Sequence, residues 1–259
     1  MSVFEVVAIV LAGVAAGTIN TIVGSGSLVT FPTLLFFGYP PVIANMSNTV
    51  GLVGGGVTGV HGYRRELGGA GPVLRRLIPA SLLGGITGGL LLLVLPPEVF
   101  EVVVPALIAL GVVLVLLGPR LQRRTARRRA EQVEASGRAD HASLAHRIGL
   151  PVAIYLAGVY GGYFGAAQGV ILVGIMGVML SEGLQTINGI KNVLGLVVNA
   201  VSALVFIVVA GSSIAWWAVL CLGAGAMLGE CSAPVSAAGC PLCCSAPSSS
   251  SSAWWRSRR

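Results

Sequence analysis

Lys191 is the only lysine among the sixteen Lys and Arg residues of the chain. It lies in the apolar stretch 187–209, within Asn188-Gly189-Ile190-Lys191-Asn192. A charged side chain at the centre of a bilayer costs about 2.5–3.5 kcal/mol on insertion scales, so it normally faces a partner or a watery cavity. The chemistry it offers there is counter-charge for an anion, with the amides of Asn188 and Asn192 as neutral partners on the same helix. A lysine close to the start of its span can instead snorkel to the interface. Both readings stand at this level.

A second polar cluster, Asn45, Ser47, Asn48 and Thr49, opens another apolar stretch. Ser and Asn side chains cap helices by accepting from free N–H groups, and a helix N-terminus within a membrane is itself an anion site. Two glycine-rich segments, Gly24-Ser25-Gly26-Ser27 and Gly165-Ala-Ala-Gln168-Gly169, expose backbone amides that can form an anion-binding concavity. Close helix packing through small residues is the competing account. The candidate substrate-binding set is therefore Lys191, Asn192, Asn188, Asn48, Ser47, Thr49, Ser25, Ser27 and Gln168.

Catalysis finds no comparable constellation. The chain has no His-Glu-x-x-His, no Gly-x-Ser-x-Gly and no paired intramembrane carboxylates, and Gly24–Ser27 lacks the Gly-Lys-Ser/Thr ending of a phosphate-binding loop. Glu182 reads as an interfacial charge. Cys231, Cys240, Cys243 and Cys244 lack the two-pair spacing of a zinc site. No catalytic residue, metal or cofactor is expected.

The elements that must position these residues are membrane helices. Of 259 residues 55% are hydrophobic and 10% charged, against about 25% charged in a soluble domain. The net charge of +7 does not indicate nucleic acid, because twelve of the sixteen basic residues fall in two inter-helix loops, the pattern of cytoplasmic loops. Arg64, Arg65, Arg75 and Arg76 flank one. The other, 119–147, holds eight arginines, and its 120–134 part can continue as a solvated helix.

Apolar runs cover 3–23, 42–62, 73–95 and 99–118, while 28–37 is too short to cross. Irregular backbone at the Gly24–Ser27 break is tolerated in a membrane only where protein or a cavity satisfies it. The N-terminal run reads as a spanning helix rather than a removed signal, and counting spans puts the N-terminus on the cytoplasmic side. Glu98 and Glu101 mark an outer turn.

The second half repeats the first. Ala16-Gly17 through Gly24 matches Ala157-Gly158 through Gly165, a short apolar piece follows each, and Asn48-Thr-Val-Gly-Leu52 recurs as Asn192-Val-Leu-Gly-Leu196. Interrupted segments at corresponding positions of two repeats point to a transporter's substrate site. The expected fold class is all-α: a polytopic integral membrane protein of two similar halves with broken or re-entrant helices, some eight crossing or partly crossing elements, and the last helix missing.

At Ala16-Gly17-Thr-Ile-Asn20-Thr-Ile-Val-Gly24-Ser-Gly26-Ser-Leu-Val-Thr30-Phe-Pro32, Gly38-Tyr-Pro-Pro41, Ala44-Asn-Met-Ser-Asn48-Thr, Gly158-Val-Tyr-Gly-Gly-Tyr-Phe-Gly165 and Gly189-Ile-Lys191-Asn192 the chain resembles the sulfite exporter TauE/SafE family, also called the 4-toluene sulfonate uptake permease family. The resemblance covers about residues 5–229. It implies a secondary carrier for small anions such as sulfite, organosulfonates or related sulfur oxyanions. A passive anion channel, or an intramembrane enzyme, is the alternative.

The divisions expected are 1–118 (first repeat), 119–148 (basic cytoplasmic linker), 149–229 (second repeat, incomplete) and 230–259. The last is a Ser/Cys-rich tail without an apolar run long enough to span, and it reads as the product of a reading-frame change near residue 229. Expected partners are a small anion and the lipid bilayer, with a homodimer as the candidate assembly and no nucleic acid. The expected location is the inner (plasma) membrane, crossed several times.

Overall fold

The computed structural model describes residues 2–135, 144–180 and 182–232, with side chains outside 119–148. Among these residues the regular structure is helical: α1 (Val3–Ile22), α2 (Ser27–Phe36), α3 (Pro41–Gly62), α4 (Gly71–Val94), α5 (Pro97–Ala135), α6 (Leu144–Tyr163), α7 (Gln168–Met179), α8 (Leu184–Ala210) and α9 (Trp216–Ser232). That is one more than the eight elements expected, because the second half contributes four helices, the last of only 17 residues. The tail beyond residue 232 and the linker stretch 136–143 lie outside the described residues. α9 runs on to Ser232, so Glu230, which the sequence assigned to the tail, stands on a helix.

Four segments, Val3–Ile22, Gly71–Val94, Pro97–Gly118 and Leu184–Ser213, are long and apolar enough to cross a membrane. α5 has 39 residues. At about 1.5 Å per residue it reaches roughly twice the ~30 Å hydrocarbon core, so its arginine-rich end projects beyond the bilayer, in line with the solvated helix expected there. The exterior carries Phe4, Leu11, Phe36, Leu116, Leu156 and Val208, all more than half exposed, while Thr30, Asn45, Ser47, Asn48, Gln168 and Lys191 are buried. A polar interior beneath an apolar surface is the arrangement for lipid as solvent. α3 and α8 keep their polar residues inward for that reason.

The two short helices fold back. α1 ends at Ile22, residues 23–26 return along it so that Gly26 lies against Ala16, and α2 runs back toward the start of α1. There Tyr39 Oη donates to Glu5 Oε1 at 3.0 Å and the Phe4 and Phe37 rings lie edge to face at 6.1 Å. Pro41 and Glu101 line a common surface depression, which puts the α4–α5 turn at this same end. The Tyr63–Ala70 loop is at the other end, where Tyr63 and Leu67 pack on Gly189 near the start of α8. In the second half α6 starts at that opposite end, with Leu150 and Ile154 clustered with Leu77, and α7 returns to it, Met179 reaching Gly149. The two hairpins therefore open in opposite directions, an inverted repeat.

This arrangement corrects the sequence count of crossings. Because α1 and α2 form a hairpin that returns to its own side, only α3 lies between that side and the Tyr63–Ala70 loop. The N-terminus and the arginine-flanked loop are at opposite ends of the molecule, not at the same end as expected. Glu98 and Glu101 fall at the N-terminal end, opposite the arginines.

Each half also lends a helix to the other. α4 packs mainly on α6 and α8, and α9 packs on α1 and α3. One buried cluster, around Phe31, Leu34, Phe100, Phe164 and Phe206, fills the N-terminal end. A second, around Leu77, Ile154, Leu172, Ile187 and Leu194, fills the linker end.

Candidate functional site

The two helix breaks meet at the centre of the molecule. Gly24, Gly165 and Ala167 have φ of +82°, +76° and +60°, and Gly169 N–H donates to Gly24 O at 3.0 Å. A Cβ on Gly24 would approach Gly169 Cα to 2.6 Å, so this crossing requires glycine. Beside it lies a cavity of about 40 Å³. A buried water needs about 10–15 Å³, so the space suits three waters or one small oxyanion.

The walls are Asn20, Gly24, Gly26, Ser27, Leu52, Gly56, Gly59, Gly165, Gln168, Gly169, Lys191, Asn192, Gly195, Leu196, Asn199 and Glu230. α2 starts at Ser27 and α7 at Gln168, corresponding positions of the repeat, so both half-helices begin at the cavity. Helix N-termini carry about half a positive charge and unsatisfied N–H groups, which favour an anion. Toward the N-terminal end the rings of Phe31, Phe100, Tyr163 and Phe164 pack edge to face in one buried group, with Phe31 and Phe164 centroids 5.2 Å apart.

Lys191 does not snorkel. It is 2% exposed, and its Nζ donates to Asn20 O and Thr21 O, each at 3.2 Å. Those carbonyls belong to the last turn of α1, the negative end of that helix. Asn20 is a node: its carbonyl accepts from Lys191, and its Nδ2 donates to Glu230 Oε1 at 3.0 Å.

The expected site residues divide into two groups. Lys191, Asn192, Ser27 and Gln168 line the cavity; Ser25, Ser47, Asn48, Thr49 and Asn188 do not. Asn48 accepts from Thr30 Oγ1 and donates to Ser27 Oγ at 3.1 Å, so its amide is already satisfied. Ser47 Oγ accepts from Ala215 N–H at 3.0 Å, just before α9, and Thr49 donates to Asn45 O at 2.9 Å. These polar groups hold helices together inside lipid. Ser25 is buried in the break, and Asn188 lies one turn before Asn192 with its Oδ1 unpaired.

The repeat is unequal here. In the first half Ser27 and Asn48 bond to each other. In the second half their counterparts, Gln168 and Asn192, leave Nε2 and Nδ2 buried without a partner, and both residues face the cavity. A buried donor left unpaired costs about 1–3 kcal/mol, so such a pair marks a place where an acceptor belongs.

Sequence reasoning missed Asn20, Asn199 and Glu230. Asn199 had a signal: Asn192, Gly195, Leu196 and Asn199 recur at helical spacing on the face of α8 that carries Lys191. Glu230 was the lone acid at the end of an apolar run, and the change of composition beyond it hid it.

The family model described as Sulfite exporter TauE/SafE matches residues 9–238. The match runs past residue 229, where the sequence reading had ended the resemblance. No curated protein and no solved structure matches the chain at a significant level. With breaks, inverted halves and a match over most of its length, the chain belongs to the sulfite exporter TauE/SafE family, a family of membrane transporters of sulfur compounds.

Proposed function

We propose that the chain is a plasma-membrane carrier for sulfite or a similarly small sulfur oxyanion, bound in the cavity between the two breaks. The observation that carries this reading is the pair of unpartnered amide donors, Gln168 Nε2 and Asn192 Nδ2, on the cavity that Lys191 also lines. A pyramidal or tetrahedral oxyanion presents several acceptors in different directions, and two amides, one ammonium and two half-helix N-termini answer them. The cavity volume favours sulfite over bulky organosulfonates. The buried group of rings toward the N-terminal end supports a carrier that must change shape over a passive channel.

Gln168→Met tests the reading, because it keeps the length of the side chain and removes the donor. In proteoliposomes, saturable flux of labelled sulfite should fall about tenfold, as expected for one lost hydrogen bond to a charged group. The purified variant should melt no lower than the parent, since an unsatisfied donor has gone. Unchanged flux and half-saturation would rule out the site.

A further inference from the structure

The anion reading leaves one charged group unused. Glu230 is 5% exposed on the last turn of α9, lines the same cavity as Lys191, and is fixed by Asn20 Nδ2 at 3.0 Å. Its carboxylate lies in the hollow left by Gly59, where a Cβ would collide with Oε2. Lys191 keeps two of its three donors on the end of α1, and Asn20 holds the two charged groups on one residue without fusing them. With both ionised, the cavity is formally neutral. A monoanion entering it leaves one uncompensated negative charge in a low-dielectric interior, which is strongly unfavourable.

We propose that Glu230 is the coupling-proton site of this carrier: a proton binds its carboxylate as the anion binds beside Lys191, and the two cross together. This rests on the transport reading above. One proton adds to a Glu230 oxygen to give the neutral acid, no other bond changes, and the loaded cavity is again neutral. Asn20 can donate to the acid's carbonyl oxygen as it did to the carboxylate. The other titratable groups on the surrounding elements do not compete. On α1 the only one is Glu5, at the far end of the helix. On α3 it is His61, exposed and turned to Arg64, and on α8 it is Lys191 itself. On α9 itself Cys221 and Cys231 are half-buried thiols.

The test uses the full-length protein in proteoliposomes, with labelled sulfite and with methanesulfonate, whose charge does not change with pH. In the parent, half-saturation for methanesulfonate exchange should rise by up to about tenfold per pH unit on the alkaline side, the limit for one linked proton. An imposed proton gradient should drive accumulation. Glu230→Gln should lose the pH dependence of half-saturation and no longer accumulate anion along an imposed proton gradient; Glu230→Asp should restore accumulation in part. Accumulation by Glu230→Gln at the parental level would overturn the proposal. So would a Glu230→Gln protein of unchanged melting temperature that keeps the parental pH dependence of half-saturation. A parent whose methanesulfonate half-saturation is flat with pH refutes it without any variant. A parent that exchanges neither anion removes the transport reading and this proposal with it, whereas exchange without pH dependence removes this proposal alone.

Discussion

At the scale of single residues, the charge of Lys191 does two things at once. It offers an ammonium to the cavity and neutralises the carbonyl end of α1 through Asn20 and Thr21. Lys191→Met should therefore lose more than anion binding, because two carbonyls lose their donor and Glu230 is left as an uncompensated buried charge. Losing a charge-assisted hydrogen bond costs about 1.5–3 kcal/mol, and a clear drop in melting temperature and membrane abundance is expected. Combining Lys191→Met with Glu230→Gln removes both charges and should recover much of the stability without recovering transport. A double variant that regained sulfite flux would show that the ammonium is not part of the anion site. The asparagines separate in the same way. Asn192→Ala should weaken sulfite binding by about 1.5–3 kcal/mol with little loss of stability, whereas Asn48→Ala should chiefly destabilise, because it leaves Ser27 and Thr30 without their partner. Thermal melts alongside flux would distinguish the two, and equal loss of stability in both would contradict the division.

At the scale of elements, everything depends on where α1 and α6 stop. An uninterrupted helix through residue 24 or 165 would bury no cavity and present no half-helix terminus. Gly24 ends α1 with φ +82° and lets Gly169 approach its backbone, so the two breaks brace each other through the Gly169 N–H to Gly24 O bond. Gly24→Ala places a side chain in the left-handed region, at about 1–2 kcal/mol, and drives it into Gly169. We expect the purified variant to melt lower and to lose transport even though no side chain that touches the anion has changed. A variant with parental melting temperature and flux would show that the breaks are less tightly joined than their geometry implies. α9 matters for a related reason. It packs on α1 and α3 rather than on its own half, so it carries Glu230 to the cavity from across the molecule.

At the scale of the whole molecule, two hairpins opening to opposite ends give a protein whose two faces are built from similar parts in opposite orientation. That is the usual ground plan for alternating access about a central site. It also fixes the topology relative to the arginines. The rule that arginine-rich loops face the cytoplasm predicts that Ser2, at the other end, is external. In a background with the native cysteines replaced, Ser2→Cys should react with an impermeant maleimide added to intact cells, and Arg64→Cys only after the membrane is opened. Labelling of both from the same side would be incompatible with the α1–α2 hairpin.

The sequence by itself determined the solvent, the class and the family. Apolar runs of spanning length, a low charge content and arginines confined to loops are one-dimensional properties, and lipid imposes them on the chain directly. It also determined where the helices break, since Gly24 and Gly165 mark interruptions that local backbone preference makes legible. Ser27 and Gln168 lie just past these marks, while Lys191 and Asn192 were legible as polar residues inside an apolar run. Tertiary structure decided the rest. A short apolar helix reads the same whether it is a crossing fragment or the return arm of a hairpin, so the side on which the N-terminus lies became visible only through the contacts of Tyr39 with Glu5 and of Phe37 with Phe4. A buried asparagine also looks the same in sequence whether its amide is satisfied or waiting for a ligand. Asn48 and Asn192 occupy matching positions, and only their neighbours show that one holds helices together while the other keeps a donor free. Glu230 is the extreme case: nothing near it in sequence concerns an anion, and it reaches the site because α9 crosses to the opposite half, where Asn20 and the gap at Gly59 leave room for a carboxylate.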